Sequence, residues 1–106
     1  MSSPEGQLRA FANCAGRLTA QLEHQWLMQS EASDITQHQR SQIVDILHSI
    51  IPEDRGREVL SWRTDARAAQ RALLNRAQFS KNPADAAWAA TQAEVLLADC
   101  TSYLTS

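Results

Sequence analysis

Three histidines, two cysteines and twelve Asp or Glu residues are the groups in this chain from which metal, acid–base or nucleophilic chemistry could be built. A di-iron carboxylate centre on helices takes one Glu from each of two helices and a Glu-x-x-His pair from each of the other two. Glu23 and the run Asp45-Ile-Leu-His48 offer part of that set, but Glu94 is followed three positions on by Leu97, so the second imidazole is missing. The sequence therefore predicts no metal and no other cofactor. A phosphoacceptor histidine on a helical bundle is the next chemistry to weigh. The residues after His24 (Gln-Trp-Leu-Met), His38 (Gln-Arg-Ser-Gln) and His48 (Ser-Ile-Ile-Pro) do not match the short Lys-Gly-containing motif of phosphotransfer domains. Phosphotransfer stays as a second alternative.

Covalent catalysis needs a Ser or Cys beside a base, with backbone donors from a Gly-rich turn to hold the oxyanion. Gly6, Gly16 and Gly56 are isolated and form neither a phosphate cradle nor a dinucleotide loop. Cys14 and Cys100 fall on apolar helical stripes, where a thiol stays neutral and inert, and neither has a second Cys or His at ligand spacing. They are expected as free thiols in the core. Both belong to the half of the molecule that holds the chain termini, where they would crosslink under oxidant if their Cα atoms came within about 7 Å. No enzymatic activity is expected.

The most distinctive spacing belongs to Arg63, Arg67 and Arg71, four residues apart and so on one face of a helix, with Arg55, Arg57 and Arg76 in the same segment. Few acids stand three or four residues away to neutralise them, so their partners are sought on other helices (Asp45, Glu94 and Asp99 are candidates), in solvent or on another molecule. A solvated face with weak ion pairs is the default for such a stripe. An acidic protein partner comes second. Nucleic acid is disfavoured, because stronger local positive charge and base-contacting side chains would be needed.

The elements that must position these groups are read from periodicity. Ser3 as cap, Pro4 at the first helical position and Glu5 in the first turn open a helix over 4–29, with Leu8, Phe11, Ala15, Leu18, Leu22 and Trp26 as its apolar stripe. Gly16 inside it points to a close helix crossing, since an interior Gly otherwise costs up to ~1 kcal/mol. Asp34, with Gln37 three residues on, reads as the cap of a second helix over 34–51, ended by Pro52. A third spans 54–79 through Val59, Trp62, Ala66, Ala69, Leu73 and Ala77. Asn82, Pro83 and Asp85 start a fourth over 83–104, with Ala86, Ala90, Ala93, Leu97, Cys100 and Leu104 inward.

No run alternates with period two, so no strand is expected. Short links between amphipathic helices predict an all-α fold, an up-down-up-down antiparallel four-helix bundle, with residues 1–106 as one domain. In that arrangement Trp26, Phe79 and Trp88 share one end, Phe11, Trp62 and Tyr103 lie toward the other, and these aromatic side chains close both. An apolar fraction of 43% and a charged fraction of 21% are those of an ordinary globular chain.

A net charge of −2 gives no global field to gather nucleic acid or an anionic membrane. No window is long and apolar enough to span a bilayer, and Met-Ser-Ser-Pro-Glu does not resemble a secretory signal, so the expected location is the cytoplasm. Abundant Ala, and nine Arg to one Lys, suggest a GC-rich bacterial source. The expected function is a non-catalytic interaction module, an adaptor, regulator or self-associating bundle that binds another protein or itself through Arg63, Arg67 and Arg71. The first alternative is anion or nucleic-acid binding by the same stripe.

Overall fold

In the computed structural model, which describes residues 3–104, four helices and two short 3₁₀ turns follow one another: α1 (Pro4–Leu27), α2 (Ser33–Ile50), a 3₁₀ turn (Glu53–Arg55), α3 (Gly56–Phe79), α4 (Pro83–Thr101) and a 3₁₀ turn (Ser102–Leu104). The described residues are all-helical and form a bundle, with no strand among them.

Two starts follow directly from local chemistry. Ser3 is extended, and its Oγ accepts the Gly6 N–H at 3.0 Å. Asn82 Oδ1 accepts from the N–H groups of Ala84 and Asp85 at 3.0 and 3.3 Å. In both cases a proline takes the first helical position, where its missing N–H is harmless.

The other boundaries differ from expectation. α1 stops at Leu27, not at 29, because Gln29 adopts the left-handed conformation, φ 56°. Ser30 N–H then reaches back to Gln25 O at 2.8 Å and Gln29 N–H to Trp26 O at 3.2 Å. This is the Schellman closure, built here on Gln where Gly is usual. α2 begins one residue before Asp34, and Ala32 precedes it without a side-chain cap. Asp34 instead lies in the first turn, where its charge favours the helix dipole. Residues 53–55 form a 3₁₀ turn before α3, and another such turn replaces the last three residues expected for α4.

α1 is the central helix. Leu8, Ala12, Cys14, Ala15, Gly16, Leu18, Ala20 and Leu22 are buried around much of its circumference, because α3, α2 and α4 each cover a different side. Its most extensive packing is on α3, then on α2; α4 rests mainly on α3, while α2 and α3 scarcely touch. α1 and α3 run in the same direction: Glu5 meets Arg55, and Gly16 meets the backbone of Arg63 and Arg67. α4 runs against α1, with the rings of Phe11 and Tyr103 at 5.1 Å and Arg17 reaching the carbonyl of Leu96.

The close crossing expected at Gly16 is present. A Cβ there would collide with the Arg63 carbonyl oxygen and lie 2.9 Å from Arg67 N and 3.1 Å from Ala66 Cβ. Leu8, Ala12, Ala15 and Leu18 then meet Ile43 and Leu47 of α2, Val59 of α3 and Cys100 of α4 in one core.

Two expectations are corrected by this packing. Cys14 and Cys100 are not free thiols but a disulfide, with Cα atoms 5.4 Å apart. The sequence placed both in one half of the molecule; the register of α4 on α1 then sets them opposite each other. Nor do the aromatic side chains close both ends: Trp26, Phe79 and Trp88 are 55%, 64% and 51% exposed. Among the described residues no helix is long and apolar enough to cross a membrane.

Candidate functional site: an arginine groove and an apolar end

Arg63, Arg67 and Arg71 do share a face of α3, but packing gives each a different surrounding. Arg67 lies over α1 and forms a bidentate ion pair with Glu23, at 2.6 Å from Nε and 2.5 Å from the terminal nitrogen. That pair holds the Glu23 carboxyl below its ordinary value, mainly through the hydrogen bond, against a smaller opposing effect of burial. Arg63 is half-buried beside the Gly16 crossing and forms no ion pair among the described residues. Burial, then the nearby charge of Arg40, pushes its guanidinium below the usual range. Arg71 is exposed and lines a small cleft with Glu23, His24, Leu27, Leu74 and Asn75. The three are therefore not one uniformly free stripe.

Asp45, Glu94 and Asp99, the acids expected to neutralise the stripe, are exposed and make no ion pair among the described residues. The real partner, Glu23, was legible as a carboxylate on the first helix, but only the parallel packing of α1 on α3 brings it to Arg67. Arg40 of α2 was missed altogether. Its Nε donates to Thr19 Oγ1 at 2.7 Å, and Thr19 Oγ1 in turn donates to Ala15 O at 2.7 Å. Because α2 is separated from α3, Arg40 reaches across α1 into an open groove of about 270 Å³ that it shares with Arg63 and Arg67.

Among the described residues no three His, Cys, Asp or Glu side chains gather as a metal site. Asp45 and His48 are exposed on α2, and both Glu23 oxygens are held by Arg67. His38 is exposed on α2 and lines a shallow groove with Ile35 and Leu104.

No family model, curated protein or solved structure matches this chain. Geometry alone therefore bears on function.

A second concentration of unusual surface is apolar. Trp26, Leu27 and Met28 at the end of α1, Ile35 in the first turns of α2, Phe79 at the end of α3 and Trp88 near the start of α4 are all exposed. Chain direction brings all four segments to one end of the molecule. Trp88 stays half-exposed even though the Arg76 guanidinium covers one face at 5.0 Å from the ring centroid and also pairs with Asp85. At the opposite end Trp62 is instead flanked by Arg9 and Arg55, at 5.2 and 5.6 Å, and is mostly covered.

Proposed function

We propose that this chain is a non-catalytic interaction module, an up-down-up-down antiparallel bundle that self-associates through the end carrying Trp26, Leu27, Met28, Ile35, Phe79 and Trp88. The observation that carries this reading is the exposure of those six large apolar side chains at one end. A monomer in water seldom leaves such a concentration uncovered.

A second copy is the occupant that area and charge favour. A buried aromatic side chain contributes roughly 150–250 Å². The three aromatic side chains, each about half exposed, thus offer roughly 300 Å², and Leu27, Met28 and Ile35 extend that area toward the roughly 800 Å² per partner of a standard interface. The charge of this end nearly cancels, since Lys81 offsets one of the two acids Glu31 and Asp34 while Arg76 and Asp85 neutralise each other. Two copies therefore meet without strong like-charge repulsion, in the self-complementary arrangement of a two-fold dimer.

Arg63, Arg67 and Arg71 are secondary in this reading, because Arg67 is engaged with Glu23. The reading does not depend on compartment; the cystine favours an oxidising one over the cytoplasm inferred from the sequence.

Sedimentation velocity over a wide concentration range tests the proposal. The wild type should shift from monomer to dimer with little dependence on salt, since an apolar contact carries it. The double variant Phe79→Gln, Trp88→Gln should remain monomeric with an unchanged helical spectrum, whereas Tyr103→Gln at the other end should still dimerise. A wild type that stays monomeric throughout would refute the reading.

A further inference from the structure

The groove between α2 and α3 holds two guanidiniums that pair with no carboxylate among the described residues. Arg40 gives its Nε to Thr19 and has no other hydrogen bond or ion pair among the described residues, and Arg63 has none from its side chain. Three guanidiniums, those of Arg40, Arg67 and Arg71, act on one acid, Glu23, whose two oxygens are already taken by Arg67, and a fourth, that of Arg63, stands beside Arg40. Three positive charges are left locally uncompensated, in a chain whose net charge is −2. Holding like charges together and partly out of water raises the free energy unless an anion sits between them.

The cause is architectural. Gly16 lets α3 approach α1 so closely that the backbone at Arg63 lies on the crossing, and from there its side chain shares the groove with Arg40. Thr19 fixes the inner end of the Arg40 fork. Leu60 and Thr64 line the remaining wall, and the Thr64 hydroxyl is occupied with the Leu60 carbonyl at 2.9 Å. The available groups that can bind are thus donors, and they are two forks.

We propose that this groove binds a tetrahedral oxyanion, a phosphate or phosphate monoester, held between Arg40 and Arg63. Charge and shape both select that class. Glu23 and Arg67 show that one guanidinium suffices for a planar carboxylate, whose two oxygens it satisfies. Two forks from different helices suit a dianion with three or four oxygens around one centre. The volume of about 270 Å³ leaves room for the atoms to which a phosphate monoester is attached. The site is independent of the self-association end and is present in each copy.

Isothermal titration and thermal-shift measurements with sodium phosphate, phenyl phosphate and sodium acetate, each at ionic strength matched with chloride, test this directly. Phosphate or phenyl phosphate should bind saturably at one site per chain and raise Tm, while acetate and chloride should not. Whichever of the two phosphates binds more tightly identifies the source, a free anion or an esterified group. Arg40→Gln and Arg63→Gln should each weaken binding at least tenfold. Arg57→Gln, which removes the same charge elsewhere on α3, should leave it unchanged. Circular dichroism of each variant separates lost binding from lost folding. Absence of saturable binding by both phosphates, equal binding of acetate, or undiminished affinity in folded Arg40→Gln and Arg63→Gln would overturn the proposal.

Discussion

Adding one methyl group at Gly16 should do more damage to this fold than deleting most surface side chains. In Gly16→Ala the new Cβ would overlap the Arg63 carbonyl oxygen and press on Arg67 N at 2.9 Å and Ala66 Cβ at 3.1 Å. Two of those three neighbours are helix backbone, which has no rotamer to give, so α3 must move away from α1. Forced overpacking of this kind costs typically 1–3 kcal/mol, and contact with backbone belongs at or above the upper end. Against it stands the helix propensity gained on replacing Gly by Ala, about 1 kcal/mol. The net expectation is a loss of about 2 kcal/mol, or roughly 10 °C in Tm for a domain of this size. Gly56→Ala is the matched control. A Cβ there meets nothing within 4 Å, so only the favourable backbone effect remains and stability should rise by roughly 0.5 kcal/mol. Urea denaturation followed by helical ellipticity reads both, through the midpoint at constant slope. A Gly16→Ala protein as stable as the wild type would refute the close crossing, and with it the geometry that places Arg63 in its groove.

Reducing the Cys14–Cys100 bond, which closes a sequence separation of 86 residues, should cost roughly 4.6 kcal/mol by the chain-entropy relation; comparing denaturant midpoints with and without reductant checks it, and thiol trapping on rapid lysis reports whether the bond exists in the cell. Gln29→Gly should stabilise by roughly 1 kcal/mol, because Gly adopts the left-handed position at the end of α1 without steric cost; an unchanged midpoint would contradict the observed closure. Glu23 is held below its ordinary value of 4.5 by Arg67, so its contribution is present above that pH and is lost as pH falls through the folded value. Glu5 and Asp85 act with the same sign through Arg55 and Arg76. The midpoint of urea unfolding should thus fall on acidification below about 4.5, less steeply in Glu23→Gln than in the wild type; identical slopes would show that the pair contributes nothing.

What could be read beforehand was whatever a few consecutive residues decide. Ser3-Pro4 and Asn82-Pro83 start helices because cap and proline act within one turn, and Pro52 ends α2 for the same reason. Asp34 shows the limit of such reading: it was suited to cap, but the helix begins one residue earlier and uses it as a first-turn acid. Which helices lie side by side is a separate matter, fixed by lateral packing that no local spacing encodes. The spacing of Arg63, Arg67 and Arg71 was visible, yet their different surroundings come from Glu23 and Arg40, on helices whose positions the spacing could not supply. Gly16 was the one residue that signalled a lateral contact, because an interior glycine needs a reason and a close neighbour is the commonest one. Cys14 and Cys100 met only because α4 lies on α1 in the register that also joins Phe11 to Tyr103. The grouping of Trp26, Phe79 and Trp88 at one end was visible, but their exposure was not, because large apolar side chains on a helical stripe look buried until the stripe outruns its neighbours.

The cystine also changes what it means to cut this protein. Every peptide bond between residues 14 and 100 lies inside one covalent ring, which includes all of α2, all of α3 and the three links between the helices. Lys81, the single lysine of the chain, stands exposed in the link before α4. Cleavage after it releases no fragment: the two pieces stay joined through sulfur, and α4 keeps its place on α1 and α3. A nicked molecule therefore migrates as one species until a reductant is added and then as two, so a protease and a thiol must act together to dismantle it.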